Sequence, residues 1–443
     1  MSQCIKKFTS QILLISLIII DCIIPLIIWP YSTDYFYYPK IISIYLLLIL
    51  TILVLFINYK ENVKKIMYSK HLIPITIFII LVFLSAAFSQ YKNQAFWGSN
   101  LRYEGAITYL AYFLILYFSY LCANSSRKYS LIIKLLLVSS VVISIYAISQ
   151  YFGFDPIERD FIRKEWTYSS FSSLGNPNFL GSYLSIVFPI WLFLYIVSNK
   201  KAQRTLLFLG TSVTYCALIC TRTRGSWIGT GLSILIISFI VIKKIIKNYK
   251  HILILSIVLI FLTITLDGVH DNLISSKFNS IVSDYKIVVN NKTESSRAGS
   301  ERIFIWTRSL NYIFDKPLLG SGPDTFDKVF KMNSQEAEFY FGSSDIYVDK
   351  AHNEYLQIAI TTGIPALLFY LYFIIIILCK SFSNIYNKKY DIYTVCLLSG
   401  FLAYIIQAFF NISVVSVAPV YWSMSGLLLG INDHTNKSAD KAS

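Results

Sequence analysis

The feature that most constrains this chain is its series of apolar runs. Twelve of them lie at about 11–29, 41–58, 72–89, 105–122, 131–152, 178–198, 205–221, 226–242, 251–266, 355–379, 391–411 and 413–431. A helix needs roughly 20 mostly apolar residues to cross the hydrocarbon of a bilayer. Barrel strands would alternate in hydrophobicity, and these runs do not. Only 14% of the residues are charged and 55% are hydrophobic, against about 25% charged in soluble domains. So little charge cannot cover a water-soluble core. A cytosolic enzyme, a disordered chain and a secreted disulfide scaffold are therefore excluded. The expected fold class is an all-α polytopic membrane protein with about twelve transmembrane helices. The seven cysteines lie in or beside apolar runs, which suits inert buried thiols better than a disulfide framework.

Lysine and arginine set the expected orientation. With the N-terminus inside, the inner segments carry twenty of them, from Lys6 and Lys7 through the Lys243–Lys250 cluster to Lys441. The short outer loops carry five: Lys40, Lys92, Arg102, Arg222 and Arg224. Both termini are thus expected in the cytoplasm. The net charge of +15 reflects this inner bias rather than nucleic-acid binding. The first run has no small-x-small cleavage site and reads as an uncleaved span. The expected organisation is spans one to nine in 1–266, an extracytoplasmic loop domain in 267–354, spans ten to twelve in 355–431 and a cytoplasmic tail in 432–443. The loop domain lies between spans nine and ten and has helical patterning: Ile303, Trp306, Leu310 and Ile313 follow Ser300, a candidate N-cap. Pro317–Pro323 reads as a turn, and Phe326, Val329 and Phe330 as a short amphipathic segment. A smaller outer loop covers about 153–177.

Chemistry is expected where polar groups break these rules. Thr221-Arg-Thr-Arg-Gly-Ser-Trp227 is a very short outer connection with two cations and no neighbouring acid. Guanidinium forks suit phosphate oxygens, although an arginine pair snorkelling at the interface would have the same sequence. Lys350-Ala-His-Asn-Glu-Tyr-Leu356 meets the tenth span, and there His352 could move a proton near neutral pH, with Asn353 and Glu354 to orient it. Arg302 alone is an ordinary polar position of an amphipathic helix. Arg102 and Glu104, in Leu101-Arg-Tyr-Glu-Gly105, read equally well as a weak surface pair. Asn176 and Asn178 flank a proline in a tight turn before the sixth span. Asp21 is the one clear acid inside a span, hence a candidate by default. The sequence has no Asp-x-Asp, P-loop, Gly-x-Ser-x-Gly, His-Glu-x-x-His or Cys-x-x-Cys, so no metal or cofactor is expected.

The order of these motifs resembles the O-antigen ligase and O-antigen polymerase family. It comprises Thr-Arg-Gly-Ser-Trp after the seventh span, then Arg302 to Trp306, Pro317-Leu-Leu-Gly-Ser-Gly, His352 to Gln357 and Gly363. The resemblance implies metal-independent transfer of a glycan from an undecaprenyl-diphosphate carrier to an acceptor hydroxyl, on the outer side of the cytoplasmic membrane. It assigns catalytic roles to Arg224, Arg302 and His352. Arg222, Arg102, Glu104, Asn176, Asn178, Asn353 and Glu354 become substrate-binding candidates. Thr223 stands where ligases often have serine, and Arg222 is an additional arginine. The implied partners are the carrier-linked donor, a glycan, lipid or protein hydroxyl acceptor and the bilayer, with no nucleic acid. The other reading is a twelve-span secondary transporter or flippase; it would be expected to show repeated halves and charged midplane residues, but no repeat is visible and only Asp21 is clearly acidic at depth. Labelling of single cysteines should place position 340 outside and position 247 inside; the reverse pattern would overturn this topology.

Overall fold

The computed structural model describes residues 2–31, 34–56, 70–100, 102–157, 168–290, 301–388 and 390–440. Ser300, Leu101 and the inner-loop lysines at 60, 64 and 65 lie outside them. Every regular element among the described residues is helical. The helices are α1 (Ser2–Ile18), α2 (Tyr38–Phe56), α3 (Ile73–Phe88), α4 (Lys92–Trp97), α5 (Ala106–Cys122), α6 (Ser126–Tyr151) and α7 (Pro177–Val197). Next come α8 (Lys201–Cys220), α9 (Arg224–Ile240), α10 (Ile242–Lys247), α11 (Tyr249–Val269), α12 (Leu273–Asn290) and α13 (Arg302–Asp315). The last are α14 (Phe326–Val329), α15 (Ser334–Phe341), α16 (Glu354–Thr362), α17 (Ile364–Tyr386), α18 (Ile392–Gln407) and α19 (Ala418–Asp440).

Within the described residues, most of each apolar run lies on helix. Among the described residues, five helices are long and apolar enough to cross a membrane, and five shorter apolar ones accompany them. On α11 a stripe of Leu253, Ile257, Ile260 and Ile264 is more than half exposed. Such an outward apolar stripe is stable against lipid tails and costly against water. By contrast α7 is buried along most of its length, among α8, α9 and α18. Small residues let these backbones approach closely. A Cβ at Gly181 of α7 would stand 2.2 Å from Thr223 Oγ1, and one at Gly229 of α9 would stand 2.8 Å from the Ala403 carbonyl of α18.

Three expected elements differ in form. The first run leaves α-helix at Ile18 for a π turn, Ile19–Ile23, and a 3-10 turn with Pro25 at its start. Proline supplies no N–H, so the ladder cannot continue regularly there. The tenth run is two helices, α16 and α17, broken at Gly363 with φ +92°. The twelfth begins with irregular backbone, and its helix extends from Ala418. Lys40, counted among the outer-loop charges, is instead fully buried. Its Nζ donates to the carbonyls of Ile27 (2.8 Å), Phe36 (3.0 Å) and Ser173 (2.7 Å). Asp21 is buried too, and Ser423 Oγ donates to its carboxylate. The six cysteines other than Cys4 are free; Cys379 is exposed and the others are buried.

The 267–354 segment has its own apolar cluster around Phe304, Ile305, Phe326 and Phe330. It docks on the span helices by backbone contact. Ser321 N donates to Ile360 O, Gly322 N to Thr361 O and Ile364 N to Pro317 O. Ser85 and Ser89 of the α3 end add hydroxyl bonds to Thr361 O and Ser321 O. This is why the Pro-Leu-Leu-Gly-Ser-Gly turn and Gly363 occur together. At Gly363, φ is left-handed and a Cβ would stand 2.3 Å from Leu318 O. Gly363→Ala should therefore lower the melting temperature in detergent by the equivalent of about 1–3 kcal/mol. Gly231→Ala, in α9 with open space around it, should be neutral or stabilising. Equal melting of the two variants would contradict the docking account.

Candidate functional site

The turn between α8 and α9 is built by its own sequence. Arg222 adopts φ +56°, an uncommon conformation for a side-chain-bearing residue. Thr221 Oγ1 and Thr223 Oγ1 are hydrogen-bonded at 2.8 Å, and Trp227 Nε1 donates to Leu218 O at 3.0 Å. The two arginines thus leave one rigid corner at the end of α8. Across from it, Asn176 caps α7 by accepting from Asn178 N, with Pro177 at the first helical position, as expected of that turn.

Between these two corners lies a cavity of about 770 Å³. Arg102, Arg222, Arg224, Arg302, His352, Asn176 and Asn178 all line it. It also receives the first-turn residues of α7, α9 and α13. Helix N-termini carry partial positive charge and undonated N–H groups, so their convergence favours an anion. The lining contains six cationic side chains, with Lys277 and Lys350 added to the four arginines, and two carboxylates, Glu301 and Asp349. Two further carboxylates stand outside the lining: Asp284 on Arg224, and Asp324 on Arg102. Among the described residues, six cations against four acids leave an excess of two.

Several expected details are corrected by this geometry. Arg224 does have an acidic neighbour: its Nη1 donates to Asp284 Oδ2 at 2.5 Å and to Ser280 Oγ at 3.0 Å, both on α12. No acid is near in sequence, and the partner arrives from 60 residues away. Arg102 and Glu104 are not a surface pair. Both are buried, and Arg102 pairs with Asp324 of the loop domain. Asp324 also accepts from the backbone of Ser99 and Glu104. Glu104 takes the Tyr112 hydroxyl and does not line the cavity. Asn353 and Glu354 do not line it either. Asn353 caps α16 through Leu356 N, and the Glu354 carboxylate accepts from Tyr370 and Tyr404. Their side chains are thus engaged away from the His352 ring. The N-cap position of α13 falls on Glu301, with φ +60° and no side-chain cap.

Burial and repulsion tune the site. Burial, with the charges of Lys350, Arg302 and Arg102, holds the His352 imidazole well below its ordinary range. It is therefore neutral at physiological pH and able to accept a proton. Burial, then the Arg224 charge, lowers Arg302 to about 10, so it stays protonated. Burial lowers Arg222 as well. Asp349 is held ionised below the usual carboxylate range: burial opposes this, but Lys350 and Arg102 outweigh it.

The charged site residues missed in the sequence include Lys277, Asp284, Asp324 and Asp349. A polar stripe at 277, 280 and 284 on an amphipathic helix is a signal for the first two, though not for their target. His352 itself has φ +49°, so the backbone turns sharply just before α16.

The fold and cavity define a multi-pass helical membrane protein with a cationic pocket. Residues 206–371 match the family model described as O-antigen ligase. That stretch runs from α8 into α17 and contains Arg222, Arg224, Arg302 and His352. Over that stretch the chain is similar to the O-antigen ligase family. No curated protein matches the chain.

Asp324→Ala should leave Arg102 buried and unpaired, at a cost of about 3–5 kcal/mol. Folded protein recovered in detergent should fall sharply, while Arg102→Met with Asp324→Leu should recover much of it. Unchanged thermal stability in Asp324→Ala would show that the pair does not anchor the loop domain.

Proposed function

We propose that the protein transfers a glycan from a polyprenyl-diphosphate carrier to an acceptor hydroxyl at the outer face of the cytoplasmic membrane, through twelve spans with both termini inside. The observation that carries this reading is one cavity lined by Arg222, Arg224, Arg302 and His352. The family match over 206–371 supports the same chemistry. A diphosphate diester bears two negative charges, which the excess of two cations in and around the cavity complements. The polyprenyl tail would lie between lipid-facing helices.

In the reaction the acceptor oxygen attacks the anomeric carbon, and the bond from that carbon to the phosphate oxygen breaks. The electron pair leaves with the diphosphate, and the hydroxyl proton passes to His352. Charge grows on the departing oxygen, where fixed guanidinium groups stabilise it. Removing one such donor costs about 10²–10³ in rate by analogy with oxyanion holes. The acceptor's high pKa makes a base worth about 10²–10⁴. Asn176 and Asn178, on the opposite wall, are suited to sugar hydroxyls. Arg102, held by Asp324, is a structural part of the wall in this scheme, and Glu104, Asn353 and Glu354 hold the surrounding helices.

The test uses a deletion strain carrying variants. Arg224→Ala, Arg224→Lys and His352→Ala should each remain inserted at normal abundance, abolish surface glycan and accumulate carrier-linked glycan by mass spectrometry. Lysine fails because an ammonium cannot form the bidentate fork. Single repeat units on the carrier would identify a polymerase, and long chains a ligase. In purified protein the acid limb of kcat/KM should lie below pH 6.5, because the His352 proton is lost below that point in the free enzyme. Wild-type surface glycan in these variants would refute the assigned roles.

A further inference from the structure

Helix α12 is held in place from three sides. The Asp267 carboxylate on α11 accepts from Ile274 N (2.9 Å) and Ser275 N (3.0 Å), satisfying first-turn donors of α12. Phe278 stacks on Trp227, ring centroids 4.5 Å apart and planes 22° apart. Trp227 belongs to the same turn motif that carries the two arginines. Finally, Ser280 and Asp284 both bond Nη1 of Arg224. Lys277, Ser280 and Asp284 are spaced three and four apart, so they form one stripe on the helix. That stripe faces the arginine corner.

The stripe is chemically divided. Lys277 lines the cavity and adds a third cation beside Arg222 and Arg224, whose charges, after burial, lower its pKa. Gathering like charges is costly unless an anion joins them. Asp284 is not part of the lining, although the arginine it grips is. The carboxylate therefore holds the guanidinium from outside the cavity wall.

We propose that α12 is a working wall of the site, in which Lys277 binds the donor's diphosphate beside Arg222 and Arg224 while Asp284 is a positioning residue that orients Arg224. This deepens the function proposed above and rests on it. Lys277 supplies a compact charge on a flexible stem that can reach a second phosphate, where the arginines supply fixed forks. Its contribution is therefore largest for a ligand with two phosphates.

The experiment measures binding of geranylgeranyl diphosphate and geranylgeranyl monophosphate to the full chain in nanodiscs. Wild type should prefer the diphosphate. Lys277→Met should lose about tenfold to a hundredfold in diphosphate affinity, as for a charge-assisted hydrogen bond, with little change for the monophosphate, and Lys277→Arg should restore the preference. Asp284→Asn should weaken diphosphate binding, and Asp284→Glu should recover it. Melting temperatures matching wild type establish that each variant is folded; Lys277→Gln replaces Lys277→Met if the latter is not. Diphosphate binding by Lys277→Met and Lys277→Gln equal to wild type would overturn the role of Lys277 while leaving the glycan-transfer reading in place. Equal diphosphate binding by Asp284→Asn and wild type would overturn the positioning role. Failure of wild type to bind either probe would overturn both the inference and the function beneath it.

Discussion

The structure depends on how buried positive charge is tolerated at the edge of a membrane. Cations removed from water need partners. Here Arg102 receives Asp324, Arg224 receives Asp284, and Lys40 receives three backbone carbonyls. Arg102 and Arg224 line the same cavity as Arg222, Arg302, Lys277 and Lys350. Asp324 makes Arg102 a strut, whereas Asp284 holds Arg224 on the cavity wall. The same division explains why motifs of similar appearance in the sequence have different roles. Arg-Tyr-Glu-Gly is a docking point for the loop domain, and Thr-Arg-Thr-Arg-Gly is a cavity-facing corner.

The loop domain matters because it completes that cavity. One wall comes from the span helices, through α7 and α9. The other comes from α12, α13 and the segment leading to His352. The two are joined by direct backbone bonds at Ser321, Gly322 and Ile364. Glycines at 320, 322 and 363 permit an approach that any Cβ would block. Main-chain docking of this kind leaves little freedom between His352 on one side and the arginine corner on the other. A proton acceptor and a charge-stabilising group can then act on one substrate without first being brought together.

Much of the fold was legible in the sequence because lipid imposes a one-dimensional rule. A long apolar run must be a helix if it crosses hydrocarbon, and within the described residues most of each run falls on helix. The positions at which helices break were harder to see. Pro25 and Gly363 interrupt runs whose hydrophobicity alone looks continuous. Within the site, Arg222, Arg224, Arg302 and His352 were recognisable from motif order, and the structure brings them to one cavity. Asn353 and Glu354 were misleading because neighbours in sequence diverge at a helix start: one caps α16 and the other turns to Tyr370 and Tyr404. Asp284, Asp324 and Lys277 were illegible as site residues because their partners lie 60, 222 and about 50 residues away. Local pattern carries no information about contacts of that separation.

The central claim is that guanidinium groups at this corner hold a departing diphosphate while His352 faces the acceptor. The most direct measurement is a cryo-electron-microscopy structure in nanodiscs with a non-transferable analogue of a glycosylated polyprenyl diphosphate. The account predicts diphosphate density between Arg222, Arg224 and Arg302, with the anomeric carbon toward His352 and the lipid tail leaving between span helices. Diphosphate density outside this cavity, with all three arginines turned away from it, would contradict the account.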